Sequence, residues 1–197
     1  MKIAAVIIAG GRSSRMGAEK ALLQLAGKPL LTHVIQRIAP QVKKLIINAN
    51  GDARRYDEFG LEVIADRRPE VGTPLAGLHA GLIWSGTKGC DAVLTVPSDC
   101  PFLPGDLVAK LLGTHAPAAI AASGAQRHFL TGLWHQALLE KLEHAIEHDG
   151  MFRVKDWATA SQAVAVGWGD EPYDLFFNVN TPEELAEAAR IAAEFAP

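Results

Sequence analysis

Residues 9–20 read Ala9-Gly10-Gly11-Arg12-Ser13-Ser14-Arg15-Met16-Gly17-Ala18-Glu19-Lys20. Glycines let a backbone pass close to a bulky anion and turn its N–H groups inward, forming a nest for phosphate oxygens. Arg15 and Lys20 bring two positive charges to the same loop, and Arg12 is placed to bring a third. A triphosphate calls for that combination, with backbone donors for shape and cations for charge. Neither standard glycine motif fits. A dinucleotide fingerprint needs glycine two after Gly10, where Arg12 stands, and a P-loop needs Gly-Lys-Ser/Thr, whereas Gly17 is followed by Ala18-Glu19-Lys20. The segment reads as a phosphate loop of another kind; the alternative is a Gly-Gly turn flanked by surface basic residues.

A second group of chemically useful residues falls where apolar runs end. Asn48, Asp66 and Asp99 each close such a run, as does the loop after Ile8. Ligands of open α/β sheets bind beyond the carboxyl ends of the strands, so these positions are expected to converge. A carboxylate beside a triphosphate is unfavourable unless a cation intervenes. Asp99 is therefore the expected Mg²⁺ ligand, since magnesium takes one or two carboxylates plus phosphate oxygens and waters. Pro97 and Pro101 stiffen its loop. A lone Asp at a strand end also serves as a helix cap or turn former. Asn178 and Asn180 stand just before the last helix, where they are candidate substrate contacts or ordinary loop formers. His144 and His148 have the i,i+4 spacing of a metal pair but lie in a charged helix without the Glu of a zinc-protease motif, and read as a solvated face. Cys90 and Cys100 have no Cys-His pattern of a nucleophilic site around them and read as packed thiols.

The elements that must position these residues alternate. Ile3–Ile8, 45–48, 63–65 and 92–96 are short apolar runs stopped by polar residues or glycine, as buried strands are. Helical periodicity covers Leu30–Ile38, 75–84, 104–115 and 136–148, and Gly77 and Gly81 make one side of the second of these small. Residues 118–122, 130–134 and 163–166 are further strand candidates. Thr181-Pro182-Glu183-Glu184 is a helix start with Thr as N-cap, Pro at the first helical position and Glu three after the cap, for a helix running to about Phe195. This order predicts an α/β fold of three layers, a mostly parallel sheet with helices on both faces. With no repeat or linker, residues 1–197 are expected to form a single domain.

Composition narrows the classes. The 197 residues are 49% hydrophobic and 21% charged, as in a globular protein able to bury a core. A formal net charge of -3 argues against a dedicated nucleic-acid binder, yet leaves room for a local cationic cluster. The apolar run at the start is too short for a signal-peptide core with its cleavage site, and no stretch approaches the ~18 apolar residues of a membrane span, so no membrane partner and a cytoplasmic location are expected.

Taken in order, the motifs resemble those of the molybdenum cofactor guanylyltransferase family along nearly the whole chain. Ile8-Ala9-Gly10-Gly11 with Arg12-Ser13-Ser14-Arg15-Met16-Gly17 and Lys20 matches its signature loop, and Gly27-Lys28-Pro29-Leu30 its next turn. Pro74-Leu75-Ala76-Gly77 resembles its guanine-side motif, Pro97-Ser98-Asp99-Cys100-Pro101 its metal strand end, and Asn178-Val179-Asn180-Thr181-Pro182-Glu183-Glu184-Leu185 its C-terminal signature. The resemblance implies GTP as donor, the terminal phosphate of molybdenum-bound molybdopterin as acceptor, Mg²⁺ as cofactor, and cofactor-delivery proteins as candidate partners. Its implied nucleotide contacts are Ile8, Ala9, Gly10, Gly11, Lys20, Asn48, Asp66, Pro74, Leu75, Gly77 and Asp99, with Asp99 also on the metal, Arg15, Lys20 and Asp99 as catalytic residues, and Asn178 and Asn180 toward the acceptor. Two positions depart from the family pattern: Cys100 stands where Thr is common, and His128-Phe129 where many members carry His-Pro. A cytidylyl-transferring relative, a sugar-phosphate or isoprenoid-precursor nucleotidyltransferase, and a non-catalytic nucleotide carrier are the competing readings.

Overall fold

The structure is a computed structural model that describes residues 1–9 and 20–195. Its strands are β1 (Ile3–Ile8), β2 (Gln24–Leu25), β3 (Lys28–Pro29), β4 (Lys44–Asn48), β5 (Val63–Ile64), β6 (Ala92–Pro97), β7 (Ala118–Ser123), β8 (Gln126–His135) and β9 (Val164–Trp168). Its α-helices are α1 (Leu30–Ile38), α2 (Pro74–Thr87), α3 (Leu107–Leu112), α4 (Leu139–His148), α5 (Val154–Ala160) and α6 (Pro182–Phe195).

Every residue of β1 is buried, so this strand has to be internal. It lies between β4 and β6, parallel to both, with Ile8 in register with Asn48 and with Pro97. The full order is β5-β4-β1-β6-β8-β7-β9. Side chains alternate along β1: Ile3, Ala5 and Ile7 enter a core with α1 and α3 on one face, while Ala4, Val6 and Ile8 enter a core with α2, α4 and α5 on the other. The layers are those expected.

One strand departs from the parallel pattern. β8 runs antiparallel to both β6 and β7, because only the Gly124-Ala125 turn separates β7 from β8, and so short a link closes a hairpin rather than a crossover. Gly124 takes the left-handed conformation there (φ 51°). The hairpin is longer than the expected strands. Its register jumps where Ile120 pairs with Gly132 but Ala121 with His128, so residues 129–131 bulge. The helix expected over 104–115 is confined to α3, with Gly113 N–H already closing on Ala109 O. The one expected over 136–148 opens as a 3₁₀ turn before α4. Helix α5 carries no side-chain cap at Arg153, hence no start signal in the sequence.

A third, smaller core joins the β2–β3 hairpin to α6 through Leu25, Leu30, Phe102, Val179, Ala188 and Ile191. It holds Lys20, whose 3₁₀ turn leads into β2, close to the segment before α6. Helix α6 begins with the expected capping box. Thr181 Oγ1 accepts from Glu184 N–H (3.2 Å), and Glu184 Oε2 accepts from the N–H groups of Thr181 (3.0 Å) and Asn180 (2.5 Å). Among the described residues, no helix is long and apolar enough to cross a membrane.

Replacing Thr181 or Glu184 by alanine is expected to cost about 1 kcal/mol, which for a chain of this size lowers the thermal midpoint by roughly 2–4 °C. Calorimetric midpoints equal to the wild type would show that the box does not hold α6.

Candidate active site

Three parallel strands, β1, β4 and β6, end side by side, and a hydrogen-bond clip joins their ends. Ala9 N–H donates to Asn48 O (2.8 Å) and Ser98 N–H to Ile8 O (3.2 Å). Ile8, Ala9, Asn48 and Asp99 are therefore gathered at one edge, as the sequence reading requires. Gly10, Gly11, Arg12 and Arg15, on which the phosphate-loop reading rests, lie outside the described residues.

Asp99 follows β6, and two independent elements fix it. Val179 N–H donates to its backbone carbonyl (2.9 Å), and Lys20 Nζ approaches its Oδ2 at 3.5 Å. The Lys20 ammonium also donates to Asn180 Oδ1 at 2.5 Å. Both ends of the ion pair are recessed, with side-chain exposures of 21% for Lys20 and 16% for Asp99. Burial pushes the Asp99 carboxyl above its ordinary value; the Lys20 charge pulls the other way and Glu184 adds a smaller upward push. Among the described residues, the centre is a recessed carboxylate with one ammonium beside it.

The adjoining carboxylate is built differently. Asn48, only 2% exposed, donates through Nδ2 to Ile64 O (3.2 Å) and to Asp66 Oδ1 (3.0 Å). Asn50 donates to the other oxygen, Oδ2, at 2.7 Å and accepts from Asp66 N–H at 3.0 Å. The described contacts of Asn48 are thus those of a bracket for Asp66. Asn50 is a second bracket that the sequence reading missed, since one more Asn in a loop carries no periodic or spacing signal.

Helix α2 closes this side. Thr73 Oγ1 accepts from Leu75 N–H (3.3 Å) and Pro74 takes the first turn. Leu75 is fully buried in the core. Gly77 lies against Asn48: a methyl there would run into the Asn48 amide and come within 2.6 Å of Ile8 Cδ1. The small side of α2 is what lets the helix seat against β1 and the Asn48 bracket; Gly81 does the same over Val6.

Of the two candidate acceptor residues, Asn180 is engaged with Lys20, whereas Asn178 is exposed and contributes its backbone carbonyl to Asn180 Nδ2 at 3.4 Å. Cys100 is buried and donates to Phe176 O at 3.5 Å; burial, reinforced by Asp99 and Asp174, pushes its thiol well up, so it stays a neutral packing group. His144 and His148 contact each other edge to face on an exposed side of α4, and among the described residues no group of three or more His, Cys, Asp or Glu forms a metal centre.

With that geometry in view, comparison with known proteins is specific. Residues 5–164 match the MobA-like NTP transferase domain. The molybdenum cofactor guanylyltransferase of Nitrobacter hamburgensis is 44% identical over 195 residues, covering 95% of this chain and 93% of that protein. The Rhodobacter capsulatus protein of the same name is 41% identical over the whole of both chains. Among solved structures, the Archaeoglobus fulgidus molybdopterin-guanine dinucleotide biosynthesis protein A superposes with a TM-score of 0.72 at 23% identity, covering 99% of this chain and 100% of that one. The 4-diphosphocytidyl-2C-methyl-D-erythritol synthase of Anaerococcus prevotii gives 0.74 at 14%, covering 98% and 96%. A Mycobacterium tuberculosis protein solved in complex with manganese gives 0.71 at 13%, covering 96% and 99%. The fold is that of nucleotidyltransferases.

Two outcomes test this geometry. Gly77→Ala overpacks the contact with Asn48 at a cost of about 1–3 kcal/mol; a variant with wild-type stability would contradict the packing role. Asp99→Asn removes a buried charge whose folded-state pKa is raised, so the ligand-free variant is expected to be at least as stable as the wild type at neutral pH. The sign follows from linkage: as pH rises from the ordinary carboxylate range through the raised folded value, the unfolded wild type releases its proton first and the folded state loses stability. The stability difference in favour of the Asn variant therefore grows across that window and then levels. Thermal midpoints in which the Asn variant loses ground with rising pH would reverse this account.

Proposed function

The chain belongs to the molybdenum cofactor guanylyltransferase family, and we propose that it transfers GMP from GTP to the terminal phosphate of molybdenum-bound molybdopterin, forming the guanine dinucleotide cofactor and releasing pyrophosphate. The observation that carries the reading is the recessed Asp99–Lys20–Asn180 cluster at the end of β6, a carboxylate and an ammonium held together where the parallel strands stop. One domain, residues 1–197, supplies both halves of the site.

The nucleotide half is assigned to the ends of β1, β4 and β5 and to the start of α2. The backbone at Ile8, Ala9, Gly10 and Gly11 wraps the phosphates, Asn48 and Asp66 face the nucleoside, and Pro74, Leu75 and Gly77 line the guanine side. The Asp66 carboxylate, held in place by Asn48 and Asn50, is suited to accept from a ribose hydroxyl or a base N–H. Arg15 and Lys20 neutralise the triphosphate and the leaving pyrophosphate. Lys20 already stands beside Asp99, so its ammonium needs only a local side-chain movement to reach a phosphate. Asn178 and Asn180 are assigned to the acceptor.

The donor chemistry fits magnesium. Asp99 offers a hard, recessed carboxylate, and one or two protein carboxylates suit an ion that takes its other ligands from phosphate and water. When bound with the nucleotide, Mg²⁺ supplies charge neutralisation at the phosphate oxygens. In the transfer itself, an oxygen of the acceptor phosphate bonds to the α-phosphorus of GTP while the bond from that phosphorus to the β-bridging oxygen breaks, its electron pair leaving with pyrophosphate. The attacking group is already an anion, so the protein's part is alignment and charge stabilisation rather than proton removal.

Incubation with α-labelled GTP, molybdopterin loaded with molybdenum, and Mg²⁺ is expected to move the label onto the cofactor with one pyrophosphate released per transfer. GTP is expected to outcompete CTP, and Asp99→Ala to lose orders of magnitude in turnover while remaining folded. Preferred incorporation of cytidylate would install the cytidylyl reading, nucleotide binding without pyrophosphate release would install the carrier, and near-normal turnover by the Asp99 variant would remove Asp99 from the metal.

A further inference from the structure

Two substrates must meet at Asp99, and the nucleotide residues occupy only one side of it. Ile8, Asn48 and Asp66 sit at the ends of β1 and β4 and just past β5, to one side of β6. On the other side the sheet continues through β8, β7 and β9. Because β8 runs antiparallel, its first residues lie at the same edge as the end of β6. The last β6–β8 pair is Thr95 with Gly132, so the β7–β8 hairpin, with its bulge at 129–131, overhangs the end of β6. The tip of β9 lies beside it, with Trp168 in register with Ser123. This overhang is the ground left for the second substrate.

His128 sits on it, and its surroundings hold the ring from several sides. Ser123 Oγ is paired with Nε2 at 2.7 Å. One face of the ring stacks on Phe176, with centroids 4.6 Å apart and planes 20° apart. Phe176 is itself clamped: Trp168 meets it edge-on at 5.3 Å, Asp174 Oδ1 accepts from its N–H at 2.9 Å, and its carbonyl accepts from Cys100, the residue after Asp99. Two contacts thus link the imidazole to Cys100, the chain neighbour of Asp99. Nδ1 has no partner among the described residues, on a ring that is only half-buried. Burial lowers the pKa of His128 below the ordinary histidine value against a smaller upward pull from Asp174, which favours the neutral ring. Ser123 occupies Nε2, so Nδ1 is the nitrogen left to meet a ligand, and with the Ser123 hydroxyl as donor to Nε2 it is Nδ1 that carries the ring proton.

From this juxtaposition, and resting on the transfer reading above, we propose that His128 is an acceptor-binding residue. Its Nδ1–H donates to the anionic, phosphate-bearing acceptor, while Ser123 and Phe176 hold the ring in tautomer and plane. The nearby Phe129 does not interfere with this: it begins the bulge and packs toward the α5 side of the sheet.

Equilibrium binding of molybdopterin and, separately, of GTP tests the assignment on the full chain. His128→Ala is expected to weaken molybdopterin binding on the order of tenfold or more, the scale of one hydrogen bond to a charged group, and to leave GTP binding unchanged. Two conservative variants separate the ring nitrogens. His128→Asn keeps a donor near the Nδ1 position and is expected to recover most of the affinity, whereas His128→Gln reaches only toward Ser123 and is not. Unchanged molybdopterin binding in His128→Ala, recovery by Gln but not Asn, or a parallel loss of GTP affinity would each overturn the proposal in favour of a prop for the hairpin or for Asp99. A wild type that binds molybdopterin through His128 yet transfers no GMP would overturn the transfer reading and leave this one standing.

Discussion

A carboxylate recessed at the end of an internal strand has to be supplied with positive charge, and that demand organises this protein. Asp99 is recessed, and burial pushes its carboxyl above the ordinary value while Lys20 pulls it back. Lys20 supplies one ammonium, and the ammonium is in turn fixed by Asn180. These residues come from distant parts of the chain. The small core of Leu25, Leu30, Val179 and Ile191 is what brings the segments carrying Lys20 and Asn180 together beside the end of β6. The capping box of α6 completes the arrangement, since Glu184 holds the backbone of Asn180 while aiming its side chain at the first turn of its own helix.

The same logic explains why the two sides of the site are built from different chemistry. On the β4–β5 side, amides bracket a carboxylate: Asn48 and Asn50 hold Asp66 as an oriented acceptor, and Gly77 leaves room for the inner bracket. On the β7–β9 side, aromatic rings take over. His128 stacks on Phe176 and Trp168 meets Phe176 edge-on, with polar contacts only at their margins. A polar nucleoside with defined donors and acceptors suits the first, and a flat heterocycle carrying one anionic group suits the second. The boundary between them is Asp99.

Much of this was legible in the residues. The six-residue apolar run of β1, the strand-end positions of Asn48 and Asp99, and the Thr181-Pro182-x-Glu184 cap all follow from local rules, and the structure places them as those rules require. Less was visible where the cause is tertiary. The antiparallel course of β8 depends on a two-residue turn that the sequence marks only by Ser123-Gly124, and α5 lacks any capping residue. Asn50 and the His128–Phe176 stack have no signature because their roles come from neighbours far away in sequence. Gly77 reads as a small residue on a helix face; only the packed structure identifies Asn48 and Ile8 as what it makes room for.

The central claim is that Asp99 is a metal ligand that becomes competent together with nucleotide phosphates. Titration of Mn²⁺, as a paramagnetic stand-in, into the protein followed by electron paramagnetic resonance tests it without reliance on turnover. With a saturating non-hydrolysable GTP analogue present, the wild type is expected to bind one ion per chain tightly, and Asp99→Asn to bind it at least tenfold more weakly. Equal Mn²⁺ affinity in the two proteins would contradict the account and move the metal away from the end of β6.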